Sequence, residues 1–118
     1  MVGKTGEWEM NKRKLAIKER NRKDKEWREA CLSRDNFECV ICHKKNRINV
    51  HHLLSRHLFS QYRHEVWNGL CLCPSHHNFG KSSPHQDPIG FVSFLLIRDA
   101  SFVEFLIDKI NTSTVTTK

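Results

Sequence analysis

Between Cys39 and His85 the chain gathers the residue types that bind metals and move protons. Cys39-Val-Ile-Cys42 and Cys73-Pro-Ser-His76 are two knuckle halves, each offering two soft or borderline donors three residues apart. Zinc takes four such donors in a tetrahedron, and a C-x2-C turn delivers two at once. Cys39, Cys42, Cys73 and His76 are therefore the candidate ligands of a structural zinc. Cys71 lies two residues before Cys73 and could replace it. Strand alternation favours Cys71 instead as a small buried apolar side chain. Cys31 is expected to pack beneath the N-terminal helix. Buried cysteines without a metal are the plain alternative, but that view leaves the paired spacing unexplained.

Between the halves stand His51 and His52. Neighbours on a strand point to opposite sides, so one ring can face a metal while the other faces a water or acts as a base. Metal-assisted attack on a phosphodiester needs that division of labour. His77 directly follows His76 and projects about a quarter-turn further round a helix, towards the strand pair. There it can share a second metal with His51. Two protein nitrogens leave coordination positions open for phosphate and water. A histidine pair is ordinarily structural; its place between two knuckles changes that weight.

These residues need a scaffold, and the composition limits its kind. At 118 residues the chain is one domain with a modest core, which a metal would help to hold together. Lys and Arg number 20 against 13 Asp and Glu, and the excess is uneven. Met1–Arg34 carries 11 basic and 6 acidic residues, while the chain after Asp87 is balanced. A basic arm beside a reactive site fits a polyanionic partner such as nucleic acid, although a solvated helix would look the same. No apolar run is long enough for a bilayer, and the charged N-terminus shows no signal-peptide pattern. Five cysteines, an odd number, argue against a disulfide framework. A cytoplasmic setting follows, in a bacterium or an infected host cell.

Met1 to about Asn11 lacks periodicity and is expected to be mobile. Lys12–Arg34 reads as helix, with Trp27, Ala30 and Cys31 as its docking face. Asp35-Asn36 ends it with turn chemistry. Ile48–Leu53 and Trp67–Leu72 read as antiparallel strands, and Leu54–Val66 as a polar loop between them. Pro74 opens a short helix to about Phe79. Asp87-Pro88 is a helix start with Phe91, Phe94 and Leu95 on the buried stripe. Ser101–Glu104 has the form of a capping box opening a second helix, which buries Phe102, Phe105, Leu106 and Ile110. Both helices read as core packing. A frayed tail is expected from Thr112. Trp27 and Trp67 read as core residues, His43 as exposed, and His57 and His64 as solvated loop positions.

From about Trp27 to Phe94 the chain resembles the HNH endonuclease family, and is most similar to small zinc-containing members from bacteriophages and prophages. The stretches that carry the resemblance are WREACLSRDNFECVIC, VHHLLSR, WNGLCLCPSHH and SPHQDPIGF. It implies an α+β chain: a ββα-metal (His-Me finger) core with a zinc knuckle, a basic N-terminal helix and two C-terminal helices. The units would be an arm at 1–26, a nuclease core at 27–87, a helical extension at 88–111 and a tail at 112–118. His52 matches the general base, Asn68 the residue that pins the loop orienting it, and His77 the final metal-binding histidine. His51 matches the ligand preceding the base. Cys39, Cys42, Cys73 and His76 match the structural zinc positions. The implied function is metal-dependent DNA hydrolysis, one strand per event, leaving 5′-phosphate and 3′-hydroxyl ends, with Mg²⁺ or Mn²⁺ at the reactive site.

One position departs from the family. Where many relatives carry a further His or Asn, one helical turn beyond the metal-binding His, this chain has Lys81, which can hold a phosphate but cannot ligate while charged. His85 is either the missing ligand or a structural contact to the next helix. Arg56 is the candidate phosphate clamp. Arg63, Lys81, Lys18, Arg20 and Arg22 complete the expected DNA contacts. The expected partners are double-stranded DNA and phage packaging proteins, with the chain as a monomer or weak dimer. The rival is a non-catalytic zinc module that binds nucleic acid in packaging or recombination machinery. It needs the knuckles and the arm but not His51, His52, Asn68 and His77 together.

The arm generates a first prediction. Deleting the residues before Asp24 should weaken binding to all duplex sequences alike. It should also flatten the salt dependence of binding by roughly 0.9 in slope for each phosphate that the arm no longer neutralises. Unchanged affinity and slope in a salt titration would show the arm to be a solvated segment.

Overall fold

The computed structural model describes residues 2–79 and 83–116. Its elements are α1 (Val2–Arg34), β1 (Asn49–His52), β2 (Gly69–Leu72), a single wide helical turn at Ser75–Phe79, α2 (Pro88–Arg98) and α3 (Ala100–Thr116). Among the described residues no helix is long and apolar enough to cross a membrane. Lys81 lies outside the described residues.

Helix α1 begins at Val2, not near Lys12. A helix needs no apolar stripe where its residues favour helix, as most do from Glu7 onwards, and the stretch 2–34 contains no proline. Exposed pairs from Arg22 to Glu19 and Glu26 add i,i+3 and i,i+4 support. Residues 6–23 are exposed throughout. At about 1.5 Å per residue, the 33 residues form a rod about 50 Å long that docks only at its end. The Cα radius of gyration is accordingly 17.6 Å, against roughly 13–14 Å for a compact chain of this length. The helix closes with a Schellman pattern: Phe37 N–H donates to Leu32 O at 2.8 Å and Asn36 N–H to Ser33 O at 3.3 Å. Asn36 supplies the left-handed residue, φ 58°.

The docked end of α1 buries Trp27 and Cys31, whereas Ala30 faces outwards. The apolar face therefore runs through Trp27 and Cys31, with the partly buried Leu32 beside them. Arg34 completes the junction, donating to Val66 O at 2.7 Å and Gly69 O at 2.6 Å.

The two strands pair antiparallel, with His51 opposite Leu70 and His52 opposite Gly69. Partners across a ladder share a face and neighbours alternate. Val50, His52, Gly69 and Cys71 thus lie on the face under α1, and His51, Leu70 and Leu72 on the other. Strand β2 starts at Gly69, because Val66–Asn68 form a 3-10 turn instead of extending the strand.

Asp87 caps α2, accepting from Gly90 N–H at 3.0 Å, with Pro88 at the first helical position. Helix α3 is capped by Asp99, which accepts from Phe102 N–H at 3.2 Å, so Ser101 is not the cap. Asp99 also ends α2 through its own N–H to Leu95 O at 2.8 Å. One residue does both jobs, and the capping-box pattern is coincidental. The buried stripe of α3 is Val103 and Leu106, with Phe102 and Ile110 partly covered and Phe105 exposed. Helix α3 continues to Thr116 past the expected start of fraying at Thr112. Its Ser113 hydroxyl receives Gln61 Nε2 at 3.1 Å and lies 3.0 Å from the Tyr62 hydroxyl.

Gly69 sets the distance between α1 and the sheet. A Cβ there would lie 2.6 Å from Cys31 Sγ and 2.7 Å from Trp27 Cζ2. Gly69→Ala should destabilise the fold by about 1–3 kcal/mol through overpacking. Urea unfolding should detect that loss, and unchanged stability would mean that α1 sits loosely on β2.

Candidate metal centres

Two donor clusters flank the helical turn at Ser75–Phe79. The first is Cys39, Cys42, Cys73 and His76, whose ligand atoms all lie within 4.8 Å of one another. Cys42 Sγ is 3.7 Å from Cys73 Sγ, and His76 Nδ1 is 3.6 Å from Cys39 Sγ and 3.2 Å from Cys73 Sγ. A tetrahedral site with Zn–S about 2.3 Å and Zn–N about 2.0 Å places ligand atoms about 3.5–3.8 Å apart. The donor set and its spacing fit a structural zinc. Backbone geometry builds the knuckle: His43 N–H returns to Cys39 O at 2.8 Å, and Cys39 N–H reaches Lys44 O at 2.9 Å. Burial works against the Cys39 thiolate, but N–H groups around it, led by that of Cys42, outweigh burial and lower its pKa.

Cys71 stands apart from this cluster. It is fully buried, and its Sγ–H points to Cys31 O at 3.4 Å. Burial first, then its contact with the Asp35 carboxylate, pushes the thiol up to about 12. Cys31, equally buried, is pushed up to about 11, chiefly by burial. Both stay protonated and serve as packing.

The second cluster is His51, His77 and His85, again with all ligand atoms within 4.8 Å. His51 enters from the β1 face opposite α1. Its ring centroid lies 5.2 Å from that of His77 and 5.1 Å from that of His85. The Nε2 atoms of His77 and His85 are 3.2 Å apart. His77 Nδ1 is buried without a hydrogen-bond partner among the described residues. Burial, and then the neighbouring imidazoles, lowers the His51 pKa to about 3. Burial also lowers that of His77, with His85 adding to it. Three imidazoles whose donor atoms gather within 4.8 Å, with His77 Nδ1 left unpartnered among the described residues, fit a divalent cation. Imidazole suits late first-row ions, whereas Mg²⁺ prefers oxygen. The structure therefore brings His85 in from the loop before α2, and it also packs Phe91 against His51 at 5.8 Å between ring centroids.

His52 lies on the other face of β1. Its ring stacks on Trp27, with centroids 4.0 Å apart and planes 9° from parallel. Its Nε2 is 3.0 Å from Arg63 O. A carbonyl only accepts, so Nε2 carries the proton and Nδ1 keeps the lone pair. Burial lowers the His52 pKa, and the nearby Arg56 and Arg63 charges contribute, so the neutral form is favoured. Asn68, fully buried, spans the loop from below. Its Oδ1 accepts from Leu54 N–H at 2.6 Å, and its Nδ2 donates to Leu54 O at 3.1 Å and Tyr62 O at 3.0 Å.

A cleft of about 460 Å³ opens over this arrangement, lined by His51, His52, His77, His85, Ser55 and Arg56 among others. A second cleft of about 460 Å³ adjoins it through Arg56 and adds Arg20, His57 and Arg63. Arg20 and Lys18 lie exposed on α1, and Arg22 is engaged by Glu19 and Glu26. Arg63 forks onto Asp24, and His64 bonds the same carboxylate at 2.6 Å, so His64 is no solvated loop residue. His43 is exposed and contacts Glu38. Trp67 packs on Phe105 and Tyr62. Sequence reasoning missed Asp24; nothing in the local pattern of α1 singled it out.

The described fold is thus an α+β chain with a ββα-like arrangement. It holds one cluster of three cysteines and a histidine, and one cluster of three histidines. Compared with protein-family models, curated proteins and solved structures, the chain has no match.

The four-donor cluster yields a prediction for zinc content. Cys39→Ala should lose the metal and unfold the chain, because zinc binding is coupled to folding. Cys71→Ala should retain one zinc per chain after dialysis. Elemental analysis with circular dichroism checks both, and zinc loss in Cys71→Ala alone would reassign the ligand.

Proposed function

We propose that the chain is a metal-dependent DNA endonuclease of the HNH type. One observation carries this reading: His52, with a free Nδ1 lone pair, lines the same cleft as the three-imidazole cluster. A base and a cation site on opposite faces of one strand, meeting at one cleft, suit hydrolysis of a phosphodiester. The basic cleft adjoining it suits the flanking phosphates.

His52 takes a proton from water at Nδ1 while Nε2 stays bonded to Arg63 O. The resulting hydroxide attacks the phosphorus, and the bond from phosphorus to the 3′-oxygen breaks. Arg56, exposed at the junction of the two clefts, holds a non-bridging phosphate oxygen. Asn68 keeps the loop that carries this geometry in place. His51, His77 and His85 would hold the cation. A bound divalent ion supplies positive charge for the transition state and the leaving 3′-oxygen. Arg20 and Lys18 provide contacts further along the strand. One site per chain makes nicking the expected activity. The zinc cluster has a structural role.

With supercoiled plasmid, the chain should produce open circles in the presence of a divalent cation, and chelation should stop the reaction. Mn²⁺ should support faster cleavage than Mg²⁺ at equal concentration, given the all-nitrogen donor set. His52→Ala should lower the rate by roughly 10²–10⁴-fold while leaving DNA binding intact. If His52→Ala cuts like the parent, His52 is not the base. A chain that binds DNA but never cuts it, with any of these ions, is the non-catalytic zinc module instead.

A further inference from the structure

Every group that fixes the His52 ring belongs to α1 or to a loop that α1 holds. Trp27 supplies the stacking plane. Its Nε1–H donates to Glu65 O at 2.7 Å. The carbonyl that accepts from His52 belongs to Arg63, two residues earlier. The Arg63 guanidinium donates through Nε and Nη2 to the two oxygens of Asp24, each at 2.8 Å. His64 Nε2 meets the same carboxylate at 2.6 Å. Residues 63–65 are therefore held to α1 at three successive positions, and the Arg63 carbonyl lies within that span.

An imidazole with one hydrogen bond can swap tautomers or flip if its partner moves. A side chain that immobilises the partner therefore decides which nitrogen is basic. We propose that Asp24 and Trp27 are positioning residues for His52, holding Arg63 O and the ring plane so that Nδ1 stays unprotonated. This inference rests on the reading of His52 as the base. An exposed ion pair alone would matter little. This pair is bidentate and three-membered, it is partly covered, and it joins a helix to the loop touching the reacting ring.

The test uses the full zinc-loaded chain. Nitrogen-15 spectra of the histidine rings, taken at a pH where His52 is neutral, should show the Nε2-protonated tautomer in the parent. Asp24→Asn, close in shape to the parent residue, and Trp27→Phe, which keeps an aromatic plane but loses the N–H to Glu65 O, should show a mixture of tautomers. In plasmid nicking they should lower kcat by roughly 10-fold or more. KM and zinc content should not change. Glu29→Gln removes one negative charge from an exposed α1 position and should match the parent in both readouts. Parent-like spectra and kcat in both Asp24→Asn and Trp27→Phe would overturn the proposal. The tautomer is read without turnover. If the parent chain never cuts DNA, the nuclease reading falls, and the spectra still decide whether α1 positions the ring.

Discussion

A single buried amide governs the loop between the strands, and the site is built on that loop. Asn68 fills three hydrogen-bonding positions that water cannot reach. It ties Leu54, just after β1, to Tyr62, just before the segment that touches His52. No other side chain of similar size does this. An aspartate would set its acceptors against two carbonyls. A leucine would leave one donor and two acceptors buried and unpaired, at about 1–3 kcal/mol each. Asn68 thus acts through shape and pairing, at a distance from any reacting atom. Helix α1 from one side and Ser113 of α3 from another hold the same loop.

The strand pair and the helical turn divide labour by simple periodicity. Alternation along β1 sends His52 towards α1 and His51 towards α2. Progression round the turn sends His76 to the sulfurs and His77 to the imidazoles. The two clusters therefore share a backbone without sharing a ligand. Gly69 extends the logic to α1: the missing side chain opposite His52 leaves the room in which Trp27 stacks.

What the sequence made legible was local or chemically distinctive. Cysteine and histidine spacing located the four-donor cluster, because metal geometry restricts that spacing strongly; His51 and His77 were legible as a pair, whereas His85 stood open between ligand and structural contact. Asp87-Pro88 marked the start of α2, and the two-residue gap to His76 favoured Cys73 over Cys71 as the ligand. Less legible were features that depend on distant partners or on weak patterns. The first turns of α1 carry no apolar stripe, so periodicity could not reveal them as helix. Ser101 offered a capping pattern, but Asp99 already faced the first free N–H groups. Asp24 looked like one more surface charge until the fold brought Arg63 and His64 to it across some 40 positions of sequence. The exposed Ile89 and Ile97 of α2 also show that an apolar sequence does not imply a buried one.

The adjacency of His76 and His77 bears on which genetic changes the chain can absorb. Each residue added to or removed from a helical turn rotates everything after it by roughly a quarter-turn. Between Cys73 and His77, a codon gained or lost would turn His77 away from the imidazoles and His76 away from the sulfurs in one event. Substitution at exposed Ser75 leaves both directions unchanged. Across this stretch the count of residues is under tighter restraint than their identity, and point changes and frame-preserving indels should differ sharply in how well they are tolerated.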